Sequence, residues 1–189
     1  MKNNGQLKYL ALVMILAGTL TACANKPVST TQLAENPQVA AINNFRAVLG
    51  LPNLPLESTG MDHMANSPSG DLPVALYADS QGRKFSVEPI TNTVVEMDAR
   101  ALLASIPTNA LVLPADELKA RALKIANTIT PGFDSLLPNL NDNSGNKGDN
   151  YFFDWRKPME PGKMMPAFLQ IGIHTSGLIF AYYNTLSLK

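Results

Sequence analysis

The stretch Ala167-Phe-Leu-Gln-Ile-Gly-Ile-His-Thr-Ser-Gly-Leu-Ile-Phe-Ala-Tyr-Tyr183 decides how the second half of this chain folds. Leu169, Ile171 and Ile173 recur at every second residue, the period at which side chains of an extended strand return to one face. Thr175-Ser-Gly177 breaks the pattern with turn residues, and a second apolar run, Leu178–Tyr183, follows at once. So short a connection pairs the two runs as an antiparallel hairpin, because a parallel partner needs a crossover of a dozen or more residues. Towards the N-terminus, Tyr151–Arg156 is a third strand, with Tyr151, Phe153 and Trp155 on one face. Alternation then turns Phe152 and one of Tyr182 and Tyr183 to the opposite face, where core packing is the default reading of such aromatics and a binding face the alternative. Asn139–Asn150 reads as a polar, turn-rich insert. Before it, Pro114 opens a helix whose Asp116 and Glu117 sit in the first turn, where negative charge suits the helix dipole. Leu118, Ala122, Ile125, Ala126 and Ile129 share one face of it, and Thr130-Pro-Gly132 ends it. Residues 114–189 therefore spell a helix plus a three-stranded antiparallel meander.

The first half repeats that order. Asn36-Pro37 is an N-cap followed by proline at the first helical position, Val39, Ile42, Phe45 and Leu49 form an apolar stripe, and Gly50 is the stop. Leu51–Leu72, rich in Pro, Gly, Ser and Asn, reads as an extended connection. Val74–Ala78, Lys84–Val87 and Thr93–Glu96 are strands, separated by turns at Asp79–Gly82 and Thr91-Asn92. Residues 37–97 thus form a helix plus a small antiparallel sheet. Residues 98–113 form a connector with a short helix over 98–106 capped by Asp98. Laying Phe85–Val94 over Leu169–Leu178 matches apolar positions and puts Thr91 on Thr175, the pattern a diverged duplication would leave. The fold class is α+β: two helix-plus-antiparallel-meander units packed as one compact body.

The N-terminus specifies an address. Lys2 and Lys8 precede an apolar run from Tyr9 to Leu20, about a dozen residues where a membrane-spanning helix needs roughly 20, so residues 1–22 read as a signal peptide. Leu20-Thr-Ala-Cys23 resembles the bacterial lipobox, which implies cleavage before Cys23 and lipid on its sulfur. Small residues at 21 and 22 let the extended backbone enter a narrow peptidase site, and the thiol becomes the thioether that carries diacylglycerol. Residues 23–36 are then a lipidated, solvated tether. Because Ala24 is not the aspartate that retains such proteins in an inner membrane, the expected location in a two-membrane envelope is the outer membrane. In a host with one membrane it is the outer face of the plasma membrane.

Cys23 is the sole cysteine, so disulfides, thiolate catalysis and cysteine-ligated metal are excluded within one chain. Loss of 22 residues, with Lys2 and Lys8 the only charges among them, leaves 13 basic and 15 acidic side chains in 167 residues. That balance supplies no basic field for nucleic acid and no polybasic membrane patch.

The strings Asp79-Ser-Gln-Gly-Arg-Lys-Phe-Ser-Val-Glu-Pro-Ile-Thr-Asn-Thr-Val-Val95 and Leu169-Gln-Ile-Gly-Ile-His-Thr-Ser-Gly-Leu-Ile179 resemble the paired strands of PepSY-type domains, small exported helix-plus-sheet modules. Asn92 stands where glycine is usual and Glu88 where aspartate is usual. The resemblance implies a non-catalytic binding or peptidase-restraining role and carries over no catalytic residues.

The chain has two histidines, His63 and His174, and shows no Gly-x-Ser-x-Gly, no His-Glu-x-x-His and no phosphate-cradling glycine loop. Met61-Asp-His-Met64 is the one local metal-ligating cluster: thioether and imidazole suit Cu(I), which makes Met61, His63 and Met64 copper candidates, with Met159, Met164 and Met165 as a second methionine group. Methionine is also a common filler of apolar gaps. Asn139–Asn150 lacks the ordered acidic ligands and closing glutamate of a calcium loop. No catalytic residue, cofactor or metal is assigned. The leading function is a lipid-anchored, non-enzymatic envelope protein that binds a protein or peptide. The alternatives are an envelope hydrolase with a dispersed site and copper handling.

Overall fold

The computed structural model describes residues 36–188. The signal segment, Cys23 and residues 24–35 lie outside the described residues. Helix α1, Pro37–Leu49, begins where Asn36 accepts the Gln38 N–H at 2.9 Å, so one orphan donor of the first turn is satisfied. It ends at Gly50, whose φ of 67° is a left-handed conformation that costs glycine nothing. The strands β1 (Leu56–Met64), β2 (Leu72–Asp79), β3 (Lys84–Glu88) and β4 (Thr93–Asp98) follow as a meander. After a 3-10 segment at Arg100–Ser105 come α2 (Ala115–Ile129), the single turn α3 (Phe133–Leu136), and β5 (Asn141–Asp142) and β6 (Gly145–Lys147). The chain closes with β7 (Asn150–Arg156), β8 (Phe168–His174) and β9 (Ile179–Asn184).

All nine strands belong to one antiparallel sheet in the order β1-β2-β3-β4-β9-β8-β7-β5, with β6 also on β7. The two helix-plus-meander units therefore share a sheet, and their last strands, β4 and β9, meet at its centre. The helices cover one face. Phe45 of α1 lies 4.6 Å from the Tyr182 ring and 6.4 Å from Phe85, while Phe133 meets Trp155 edge-on at 5.2 Å. Leu118, Ala122, Ile125 and Ala126 of α2 close the core over Phe153, Leu169, Ile171 and Ile173. Burying each of the larger side chains stabilises by about 1.5–3 kcal/mol, so this face holds the sheet together.

Three expectations change, and one segment is added. Leu51–Leu72 contains β1, a nine-residue strand, and is not merely a connection. Seven of its residues are exposed, so no apolar alternation marks it. The helix expected at 98–106 is a 3-10 segment, with Asp98 accepting the Arg100 N–H at 2.9 Å. Helical turns at 133–139 carry Phe133 into the core. The overlay of the two halves is out of register. Each last strand holds one bulged residue, Val95 in β4 and Phe180 in β9, and aligning these puts Phe85 with Ile171 and Val94 with Ile179.

Candidate functional site

The residues proposed for copper do not converge. Met61 and His63 point to one face of β1 and Met64 to the other, as a period of two requires. Met61 is 63% exposed, whereas Met64 is buried with Val74 and Val95 on the face without helices. The exposed His63 ring binds Asp71 across the β1–β2 turn, a surface pair that contributes little. Met159 and Met164 are exposed in the β7–β8 loop, where Met164 packs over Gly70.

His174 closes the β8–β9 turn. Its Nδ1 accepts the Ser176 N–H at 3.0 Å, with Ser176 Oγ at 2.9 Å. Asp149 lines the same cleft, and its carbonyl takes the Thr175 N–H at 2.8 Å. Among the described residues no carboxylate forms an ion pair or hydrogen bond with the His174 ring. Phe152 and Tyr183 do turn away from the helices, and Tyr182 is the inward tyrosine, fully buried. On that helix-free face Asp154 holds Arg156 (2.6 and 2.9 Å) and Gln170 (2.9 Å), and Arg156 lies over Phe168. The Tyr183 hydroxyl, half buried beside Glu96, is pushed up to about 12 by burial and then by that carboxylate.

The two edges of the sheet are treated differently. The β7 edge is covered: β6 pairs with residues 150–152, β5 with residues 155–156, and between them Asn143 N–H and Ser144 Oγ satisfy the Asp154 backbone at 2.8 and 3.1 Å. The polar insert is thus an edge cap. Among the described residues the β1 edge pairs only with β2. A bulge between Ser58 and Gly60, where φ is 124°, bends it and leaves Gly60–Met64 as a straight run. In an antiparallel edge strand, alternate residues direct both backbone groups outward. The His63 N–H goes to the Asp62 carboxylate at 2.8 Å rather than to β2, so the outward residues are Met61 and His63.

Sequence reasoning passed over Arg46. It occupies the apolar stripe of α1, four residues after Ile42 and three before Leu49, and is 1% exposed. Its guanidinium reaches Asp79 Oδ2 at 3.0 Å and stacks on Phe85 at 4.9 Å. A charge written into an apolar stripe was the available signal. A comparison with protein-family models, curated proteins and solved structures finds no match to this chain.

Proposed function

We propose that this chain is a lipid-anchored envelope protein without catalytic activity, which binds a protein or peptide partner by adding the partner's extended segment to β1. The observation that carries this reading is the asymmetry of the sheet: one edge is capped by a dedicated insert, while on β1 the Met61 N–H and the Met61 and His63 carbonyls face outward. An unpaired edge is an aggregation hazard that proteins normally blunt, so an edge left open beside one that is capped fits a partner's strand. Glu57, Asp62 and the bulge limit unselective pairing and leave a short register for the correct segment. Attachment is read from Leu20-Thr-Ala-Cys23; no helix among the described residues is long and apolar enough to cross a membrane. Lipid on Cys23 and a tether to residue 36 would hold the body at the outer membrane of a two-membrane envelope, or outside the plasma membrane otherwise. The PepSY-like hairpins agree with a binding or peptidase-restraining role. A copper role would need Met64 to leave its buried cluster.

Two proline variants test the edge. Met61→Pro removes an outward donor, whereas Asp62→Pro removes one that faces β2. The first should keep the melting temperature and lose the partner that co-purifies with the cross-linked, lipidated protein. The second should lower the melting temperature. Partner recovery unchanged in Met61→Pro contradicts edge pairing. A hydrolase reading would rest on the Ser176 Oγ–His174 Nδ1 contact at 2.9 Å. That nitrogen's lone pair is already directed at the Ser176 N–H, so a serine-reactive fluorophosphonate should leave Ser176 unlabelled.

A further inference from the structure

Where β2 turns into β3, two buried guanidiniums share one carboxylate. Arg46 Nη2 and Arg83 Nη1 reach the same Asp79 oxygen at 3.0 and 3.3 Å. The other Asp79 oxygen accepts the N–H groups of Gln81 and Arg83 at 3.0 and 3.1 Å. The remaining partners of Arg46 are neutral: the Leu54 carbonyl at 2.7 Å and Asn43 Oδ1 at 3.3 Å. Among the described residues no second acid lies within 4.0 Å of either guanidinium. Both Nε atoms are buried without a partner. An arginine does not shed its proton, so the cluster keeps one excess positive charge in a poorly solvated place. An anion reaching the partly exposed Arg83 would balance it.

Arg83, with 7% of its side chain exposed, lines a cleft of about 470 Å³ between the β2–β3 turn and the connector. Ser105 and Ser176 supply hydroxyls, and Ile106, Pro107 and Leu178 make apolar walls. Ile106, Pro107 and Ala110 also line a second cavity of about 220 Å³. Leu111 and Val112 flank that second cavity and are 75% and 69% exposed, although both are strongly apolar.

We propose that this cleft binds the C-terminal carboxylate of an extended peptide whose last residues are apolar, the carboxylate pairing with Arg83. Nη1 of Arg83 is on Asp79 and its Nε is buried, so Nη2 meets the carboxylate in a single charge-assisted contact. The last side chain lies against Ile106, Pro107 and Leu178, and the residue before it covers Leu111 and Val112. Leu111 and Val112, exposed beyond the shared Ala110, give the residues before the last an apolar surface, which favours a peptide end over a small acid. The site lies apart from the Gly60–Met64 edge and does not depend on strand addition there.

The test is fluorescence anisotropy with the full chain in detergent and a labelled hexapeptide ending in Val-Leu, offered as free acid or as C-terminal amide. The acid should bind tighter by about tenfold or more, the usual effect of one charge-assisted contact. Arg83→Gln should abolish that preference. Ala110→Trp, which fills the cleft and leaves the ion pair intact, should abolish binding and keep the fold. Met61→Pro should leave the preference unchanged, so the two sites fail separately. Equal affinity for acid and amide, or no binding of either, overturns the proposal. Displacement by octanoate at the same concentration as by unlabelled peptide also overturns it, in favour of a free alkyl acid.

Discussion

Glu88 shows how one side chain settles a turn. Its carboxylate is buried, which alone would raise its pKa, but it accepts the Thr91 hydroxyl and the N–H groups of Thr91 and Ile90, and the net shift is downward. A carboxyl depressed in the folded state stabilises fully above its unfolded pKa and loses that contribution as pH falls through the folded value. The stability difference between wild type and Glu88→Gln, measured by urea titration, should therefore be largest near neutrality and shrink below the ordinary glutamate range. At Gly172 the deciding effect is space. A Cβ there would stand 2.8 Å from the Phe180 ring, whereas one at Gly145 meets nothing within 4 Å. Gly172→Ala should cost about 1–3 kcal/mol, the usual range for overpacking, and Gly145→Ala should stay within about 0.5 kcal/mol, as surface changes do. Neither the Glu88 bonds nor the Phe180 contact is legible in sequence, because both depend on where a loop or a neighbouring strand returns.

At the scale of elements, what the sequence discloses tracks how each element is buried. Helices α1 and α2 each bury an apolar stripe, and β7 and β8 place apolar residues inward at every second position, so their period gives them away, while β9 is buried on both faces and reads as one apolar run. Strand β1 buries only Met64 outright, so its existence depends on β2 and not on its own pattern. The bulges at Val95 and Phe180 leave no local mark either, which is why overlaying the hairpins by apolar residues slips by one or two positions. The core assignment carries a stability prediction. Ile125, 5% exposed on α2, and Ile171, fully buried on β8, should each cost about 2–5 kcal/mol when truncated to alanine. Asn143→Ala should change little in the same urea melts, because that side chain is exposed and only its backbone N–H holds the β7 edge.

For the whole molecule, the address and the binding surface come from different evidence. The expected lipidation rests on a local string, Leu20-Thr-Ala-Cys23, whereas the open edge is a property of sheet order and leaves no such string. The copper cluster failed to assemble for a related reason, since neighbours in a strand face opposite ways. Cys23→Ala should abolish uptake of labelled fatty acid and leave an uncleaved or mis-cleaved precursor, as read by gel mobility; labelled lipid on that variant contradicts the anchor. The central claim is that β1 receives a partner's strand. Its most direct measurement places a photo-crosslinking residue at Met61 on the open edge, or at Lys119 on the outer face of α2, and irradiates intact cells. A discrete adduct is expected at Met61 that Lys119 does not give and that a tenfold excess of the uncrosslinked protein suppresses. No adduct at Met61, or the same adduct from both positions, would contradict it.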